Sequence, residues 1–496
     1  MARNPFLGRP EVFVPDPRER AAAARLAKAG TIRRIQRGLY TTNVADPLEA
    51  VVRRNLWRTV GLVAPGVVIS HRTALDLQPT ALGTIFVTAE YNRTFVLPGL
   101  RIRQLTGPGR LEGDTDFTNG LLLSSAGRAY LECLSGRPRT DETPYLAVSE
   151  VEARLERLLL QGEDRVNSIR DAARAVTAPL GAATAFDRLD RLIGALMATR
   201  QGSLATPAGR ARAAGRPFDS ARLELCESLL REMNGWATTA RPDPVDSGPT
   251  FQTIAFFDAY FSNYIEGTEF EVDEAIEIVF NNMIPRDRPE DAHDVLGTYA
   301  VVGSPTEMSR KVSELRTDEF LDLVKSWHRL MLEGRPDKNP GCFKLQRNRA
   351  GNTLFVEPEL VEGTLREAFP MIRGIRSPFG RAAFLMFLIS EVHPFDDGNG
   401  RAARAVANAE LIAHGERRFI VPTVFRVEYI DALRRLSREG EPRLLARMLD
   451  QAQEFCADID FADLPTAIAQ LRGWNAFEHD DAARLRRPAR SVNPQR

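Results

Sequence analysis

One twelve-residue stretch concentrates side chains that could do chemistry together: His393-Pro394-Phe395-Asp396-Asp397-Gly398-Asn399-Gly400-Arg401-Ala402-Ala403-Arg404. Ahead of it, residues 381–392 (RAAFLMFLISEV) read as an apolar, buried helix, and Pro394 is expected to push His393 out of it into extended backbone. Gly398-Asn399-Gly400 reads as a turn whose glycines leave the backbone open to close approach. From Arg401 the run RAARAVANAELIAH reads as a second helix, stopped by Gly415. A glycine-rich loop opening a helix offers unsatisfied N–H groups and a positive dipole end, which together make an anion site. Arg401 and Arg404, three apart, share a helical face and add two guanidinium groups. An acid beside bound phosphates, here Asp397, suits a divalent cation such as Mg²⁺. His393, at the other end of the loop, is placed to accept a proton.

Singly, these features are ordinary: a lone histidine is usually structural, Gly-Asn-Gly is usually a turn, and two arginines usually solvate a helix. Together, eight specified positions should coincide by accident about once in 10⁹ starts.

The segment resembles the Fic family signature, His-x-Phe-x-[Asp/Glu]-Gly-Asn-Gly-Arg-x-x-Arg. His393, Phe395, Asp397, Gly398, Asn399, Gly400, Arg401 and Arg404 fill every defined position. The resemblance covers about residues 250–450 and implies a mainly α fold with a β-hairpin flap ahead of the motif. It implies transfer of AMP from ATP to a Ser, Thr or Tyr hydroxyl of a target protein, the chain itself included. His393 would be the general base, Asp397 would hold Mg²⁺ between the α- and β-phosphates, and Phe395 would anchor the loop. Gly398, Asn399 and Gly400 would cradle phosphate oxygens, with Asn399 on the α-phosphate, Arg401 on the β-phosphate and Arg404 on the γ-phosphate. A kinase-like branch of the family loses a glycine here; this chain keeps both, which favours ATP held with its α-phosphate over His393.

Members of this family often carry an inhibitory helix with the pattern [Ser/Thr]-x-x-x-Glu-[Gly/Asn], and Ser262 to Gly267 (SNYIEG) fits it. The Glu-Gly pairs at Glu112, Glu333, Glu362 and Glu439 have Pro108, Arg329, Pro358 and Arg435 four residues earlier, so none of them fits. On this resemblance Ser262, Glu266 and Gly267 form the brake, Glu266 taking the Arg404 guanidinium that the γ-phosphate needs. In some inhibited relatives the same glutamate helps water remove AMP from the target.

The elements that must position this site follow from periodicity and punctuation. Helices are expected at 251–265, 271–281, 308–316, 318–333, 359–373, 381–392, 401–414 and 428–454, with a hairpin in 342–358 around Ala350-Gly351-Asn352. The organisation expected is a winged-helix-like segment over 1–60, a mixed α/β domain with a helical C-terminal part over 61–235, a Fic domain over 250–455 with its inhibitory helix at 251–267, and a partly disordered tail over 456–496. The clearest boundary is the Pro- and Gly-containing NGWATTARPDPVDSGPT.

Residues 1–60 hold 12 Lys/Arg against 5 Asp/Glu. LAKAGTIRRIQRGLY, with Ile69 to Leu75 (ISHRTAL), resembles the AbiE-type antitoxins, which implies DNA binding with Arg33, Arg34 and Arg37 on phosphates. A rival reading is thus a toxin-antitoxin-type transcriptional regulator whose Fic domain senses nucleotide without turnover; the intact His393 and Asp397 favour the enzyme.

The whole chain of 496 residues balances 66 Lys+Arg against 66 Asp+Glu, which excludes a wholly basic nucleic-acid coat. Four scattered cysteines with no CxxC pair exclude a disulfide scaffold or a cysteine zinc site. The N-terminus has no signal-like apolar run, and the longest such run, Ala382 to Ile389, is too short for a bilayer. The expectation is a cytoplasmic protein with no membrane partner; a homodimer is left open.

Overall fold

A computed structural model describes residues 5–6, 8–140, 142–200, 202–243, 248–479 and 484–486. The chain folds as two compact units, residues 1–215 and 216–496.

The first unit begins with a three-stranded antiparallel sheet in the order Val12–Phe13, Leu39–Thr41, Arg33–Gln36, with the helix Arg20–Lys28 packed beside it. Phe6, Phe13, Ala23, Ile32 and Tyr40 form its small core. Among the described residues one helix, not two, precedes the Arg33–Thr41 hairpin. Arg33 is turned inward, donating from Nε to Asn43 O at 3.0 Å and from its terminal nitrogen to Asp46 O. It braces the hairpin, so the expectation that it meets phosphate is corrected; Arg34 and Arg37 remain exposed. A six-stranded mixed sheet follows, in the order Arg93–Leu97, Leu100–Thr106, Thr84–Ala89, Val68–Ile69, Leu122–Leu123, Thr115–Asp116. Helices from Ala126 to Ala213 complete the unit around a core of Leu131, Leu155, Leu189 and Ile193.

The second unit is helical apart from the hairpin Arg349–Ala350/Thr353–Leu354. The division between units falls at Gly215, within the stretch QGSLATPAGRARAAGRPFD over 201–219, and not at 234–250. The reason is packing: Ser220–Gly235 buries Cys226, Leu229 and Met233 in the second unit, and Asp243 and Arg417 exchange backbone hydrogen bonds with Gly415 and Arg241. The expected tail is also corrected in part. Residues after 456 continue the core, with Phe461, Ala467, Leu471 and Trp474 buried beside Phe256, Phe257 and Phe261. Of the final fifteen residues, expected to be disordered, all but 484–486 lie outside the described residues.

Two helices cross behind the site. Pro378–Val392 opens with a capping Ser377 and Pro378 at its first position, and nearly every side chain in it is buried. Asn399–Ala413 packs along it through alanines that let the backbones approach. The expected helix at 308–316 is instead two short turns, Pro305–Met308 and Val312–Glu314, and a helix at Pro289–Val302 was not anticipated. The span 428–454 breaks at Gly440, which takes a left-handed φ of 70°. Among the described residues no helix is long and apolar enough to cross a membrane.

Candidate active site

His393 is not extended, as expected from Pro394, but left-handed, with φ 52° and ψ 60°. Its N–H donates to Ile389 O at 2.9 Å and closes the helix's last turn, while its ring stacks on Phe355 at 3.7 Å. A cap and a stack outweigh the local preference of a residue before proline. Nδ1 lies 3.2 Å from Ser390 O. A carbonyl only accepts, so Nδ1 carries the hydrogen and Nε2 keeps its lone pair. Burial pushes the imidazole down to about 4, with the Lys344 ammonium adding in the same direction, so the ring is neutral near pH 7.

The loop beyond His393 is fixed by its own backbone. Phe395 N–H donates to Asn399 Oδ1 at 2.8 Å, and Asn399 Nδ2 donates back to Phe395 O at 2.9 Å. Each end of that amide bonds to the Phe395 backbone, and Asn399 is 1% exposed. The Asn399 side chain pins the loop, and its backbone N–H lies at the helix mouth. Phe395 is buried against the His328 ring, as an anchor should be. Gly398 takes φ 71°, and a Cβ there would meet Leu332 at 2.7 Å. The N–H groups that open Asn399–Ala413 point toward the cleft end of the helix, where the dipole is positive.

Asp397 sits at this mouth with its side chain 38% exposed, accepting Gly398 N–H at 2.7 Å through Oδ1. Arg401 is withdrawn behind the loop: its Nη1 lies 2.9 Å from Asp294 Oδ2 and 3.3 Å from Asn263 Oδ1, and it is 2% exposed. Arg404 faces the cleft. Its Nε donates to Ser262 Oγ at 2.8 Å, and Nη2 donates to Ser262 O at 2.8 Å and Glu266 Oε1 at 2.7 Å.

Glu266 is the C-terminal cap of the helix Pro249–Ile265, and Gly267 follows with φ 94°. That conformation suits glycine and ends the helix so that Glu266 projects over the head of Asn399–Ala413. Its Oε1 would lie 2.0 Å from a Cβ built on Gly400. The carboxylate therefore fills the place where an external anion would meet this helix end. Ser262, Glu266 and Gly267 thus converge with Arg404 and Gly400.

The cleft has a volume of about 230 Å³ and is lined by Glu266, Phe355, His393, Gly400, Arg404 and Tyr429 among others. Burial raises the phenol of Tyr429, and its ring lies 5.9 Å from the Arg404 guanidinium. Sequence reasoning did not find His328, Lys344, Asn263, Asp294 or Tyr429. Lys344 is 2% exposed; its ammonium donates to Asn348 Oδ1 at 2.7 Å, and burial pushes it down to about 7. Among the described residues no three His, Cys, Asp or Glu side chains gather into a metal site.

The sequence of this unit is similar to known proteins. Residues 318–411 match the Fic/DOC family. A Fido domain-containing protein of Dictyostelium discoideum is 36% identical over 107 residues, covering 20% of this chain and 74% of that protein. The chain therefore belongs to the Fic/DOC family. It is also 26% identical over 206 residues to the protein adenylyltransferase fic-1 of Caenorhabditis elegans, covering 40% of each. The chain thus spans well under half the length of that curated relative. A solved structure of fic-1 residues 134–508 from C. elegans aligns with TM-score 0.36 and 20% identity, covering 66% of this chain and 99% of that one.

Proposed function

We propose that the chain is a protein adenylyltransferase, moving AMP from ATP to a hydroxyl of a target protein or of itself, and that Glu266 holds the activity down. The observation that carries this reading is the placement of the Glu266 carboxylate against Arg404 and Gly400, in the anion position of the cleft that His393 lines.

The His393 Nε2 lone pair takes the proton of the target hydroxyl. The oxygen attacks the α-phosphorus, the bond to the bridging oxygen breaks, and pyrophosphate leaves opposite the attacking oxygen. Backbone N–H groups from Asn399 to Arg401 face the growing negative charge. Arg404, once free of Glu266, holds the γ-phosphate. Asp397, at the head of Asn399–Ala413 with its side chain 38% exposed, offers a hard carboxylate oxygen, and Mg²⁺ commonly takes one or two carboxylates and completes its shell with phosphate oxygens and water, so this donor fits. When bound, the ion supplies charge neutralisation on the phosphates. Ala350 and Thr353 of the hairpin line the cleft, which supports the hairpin as a flap that aligns the target by strand addition. The same carboxylate beside a modified hydroxyl supports hydrolytic removal of AMP as a second outcome.

The first unit carries 30 Lys/Arg against 21 Asp/Glu, a surplus of nine that the second unit cancels. This charge supports an accessory DNA-binding role for the first unit.

Incubation with α-labelled ATP tests the enzymatic reading. Covalent label on the protein or on lysate proteins is expected from Glu266→Gly. No label from either wild type or Glu266→Gly rejects it.

A further inference from the structure

His328, near the end of the helix Thr317–Met331, is fully buried and belongs to neither the cleft nor the brake. Its Nδ1 accepts Gly341 N–H at 2.9 Å, and its Nε2 lies 3.0 Å from Asp397 O. A backbone N–H can only donate and a carbonyl can only accept, so the ring is neutral with its hydrogen on Nε2. The ring lies parallel to Phe395 at 3.7 Å, and a Cβ on Gly398 would come within 3.4 Å of it. One imidazole thus touches the loop at Phe395, Asp397 and Gly398.

Asp397 is consequently fixed at both ends. Its carbonyl is held by His328 and its carboxylate by Gly398 N–H at 2.7 Å. With the peptide pinned, the carboxylate has few directions left, and it is the group that would meet a cation.

We infer that His328 is a positioning residue for the adenylyl transfer: by holding the Asp397 carbonyl it sets the direction in which the Asp397 carboxylate meets the metal-bound nucleotide. The inference rests on the proposed function. Groups that orient a ligating carboxylate commonly matter 10–100-fold, roughly, for metal affinity or activity.

The test uses the full chain with Glu266→Gly, adding His328→Gln, His328→Asn or His328→Phe. A glutamine amide can reach Asp397 O as a donor, an asparagine oxygen can replace only the acceptor toward Gly341, and phenylalanine keeps only the stack. Three quantities are read: affinity for a non-hydrolysable ATP analogue without metal, the gain in that affinity on adding Mg²⁺, and kcat for α-label transfer.

With His328→Asn and His328→Phe, metal-free affinity should stay within about twofold, while the Mg²⁺-linked gain and kcat fall roughly 10–100-fold. His328→Gln should recover most of both. Equal recovery by Asn and Gln would shift the role to Gly341 and overturn the inference. So would an unchanged Mg²⁺-linked gain in all three, or a lowered melting temperature as their sole common effect. If Glu266→Gly itself binds no nucleotide and transfers no label, the proposed function fails and this inference falls with it; if that variant is active and the His328 series is flat, only the inference fails.

Discussion

Oε1 of Glu266 lies 2.7 Å from Nη2 of Arg404 and within van der Waals reach of Gly400, so one carboxylate neutralises the guanidinium and lies against the head of the helix Asn399–Ala413. On the proposed function the guanidinium is already paired, and the space at the helix head already taken, before any nucleotide arrives.

Replacing Glu266 with glycine should therefore raise transfer. A hydrogen bond to a charged group is typically worth about 1.5–3 kcal/mol, so the gain should be on the order of 10–100-fold. Adding Arg404→Ala should cancel it, because the freed guanidinium is its cause. The measurement is α-label incorporation by wild type, single and double variants; equal labelling by wild type and Glu266→Gly would falsify the brake.

His393→Ala in the Glu266→Gly background should lower kcat by roughly 10²–10⁴-fold, the usual contribution of a positioned base, with nucleotide affinity little changed. The ring is held by a cap and a stack at the loop's edge, so its loss trims the Phe355 contact without emptying the core. Near-normal kcat would remove the base assignment.

The pH profile has a defined sign. A base acts while unprotonated, and burial holds His393 near 4 where an ordinary histidine titrates near 6.5. Transfer should hence stay level as pH falls from 8 through about 6 and decline only as it nears the depressed value. An inflection near 6.5 in kcat against pH that persists at matched nucleotide saturation in a Lys344→Met control, where the Lys344 titration near 7 is gone, would contradict it.

For the first unit, the full chain should bind duplex DNA with log affinity falling against log salt by about 0.9 per phosphate contact. Arg34→Ala and Arg37→Ala should each lower that slope by about one, whereas Arg33→Ala, which breaks two bonds within the unit, should mainly lower thermal stability. Undetectable binding at low salt would leave the basic surplus without a nucleic-acid role.

How far the sequence carried depended on whether a residue's work is set by its neighbours in the chain. The loop and its two helices were legible because an apolar run, a glycine turn and an alanine run each dictate local structure. The Glu266–Arg404 pair was legible only through a resemblance, since 138 residues separate the partners. Asn399 shows the limit: its residue type suits a phosphate, and nothing in the sequence says that its amide also ties the loop to Phe395 four residues back. Pro289–Val302 was passed over although Pro289, Glu290 and Asp291 are good first-turn residues. Gly297 in its middle reads as a breaker, but it is there because Leu330 O and Met331 O of a crossing helix come within 2.7 Å of where its Cβ would be. His328 carries no sequence signal, because its importance lies in which two backbone groups the fold delivers to its nitrogens.

The helix that bears Glu266 has a consequence for how such a protein can be switched on. Phe256, Phe257, Tyr260 and Phe261 sink it into the same core as Phe455, Phe461 and Trp474. A helix so embedded is a beam of the building and not a bolt across its door: withdrawing it would expose a cluster of aromatic rings and undo the unit it locks. Its first residue, Pro249, and its far end, at Glu266 and Gly267, stand exposed. On the proposed function, a partner that releases the brake would act on the Glu266 side chain and the Gly267 turn and leave the embedded helix in place. A brake of that kind would be released without giving up the aromatic core.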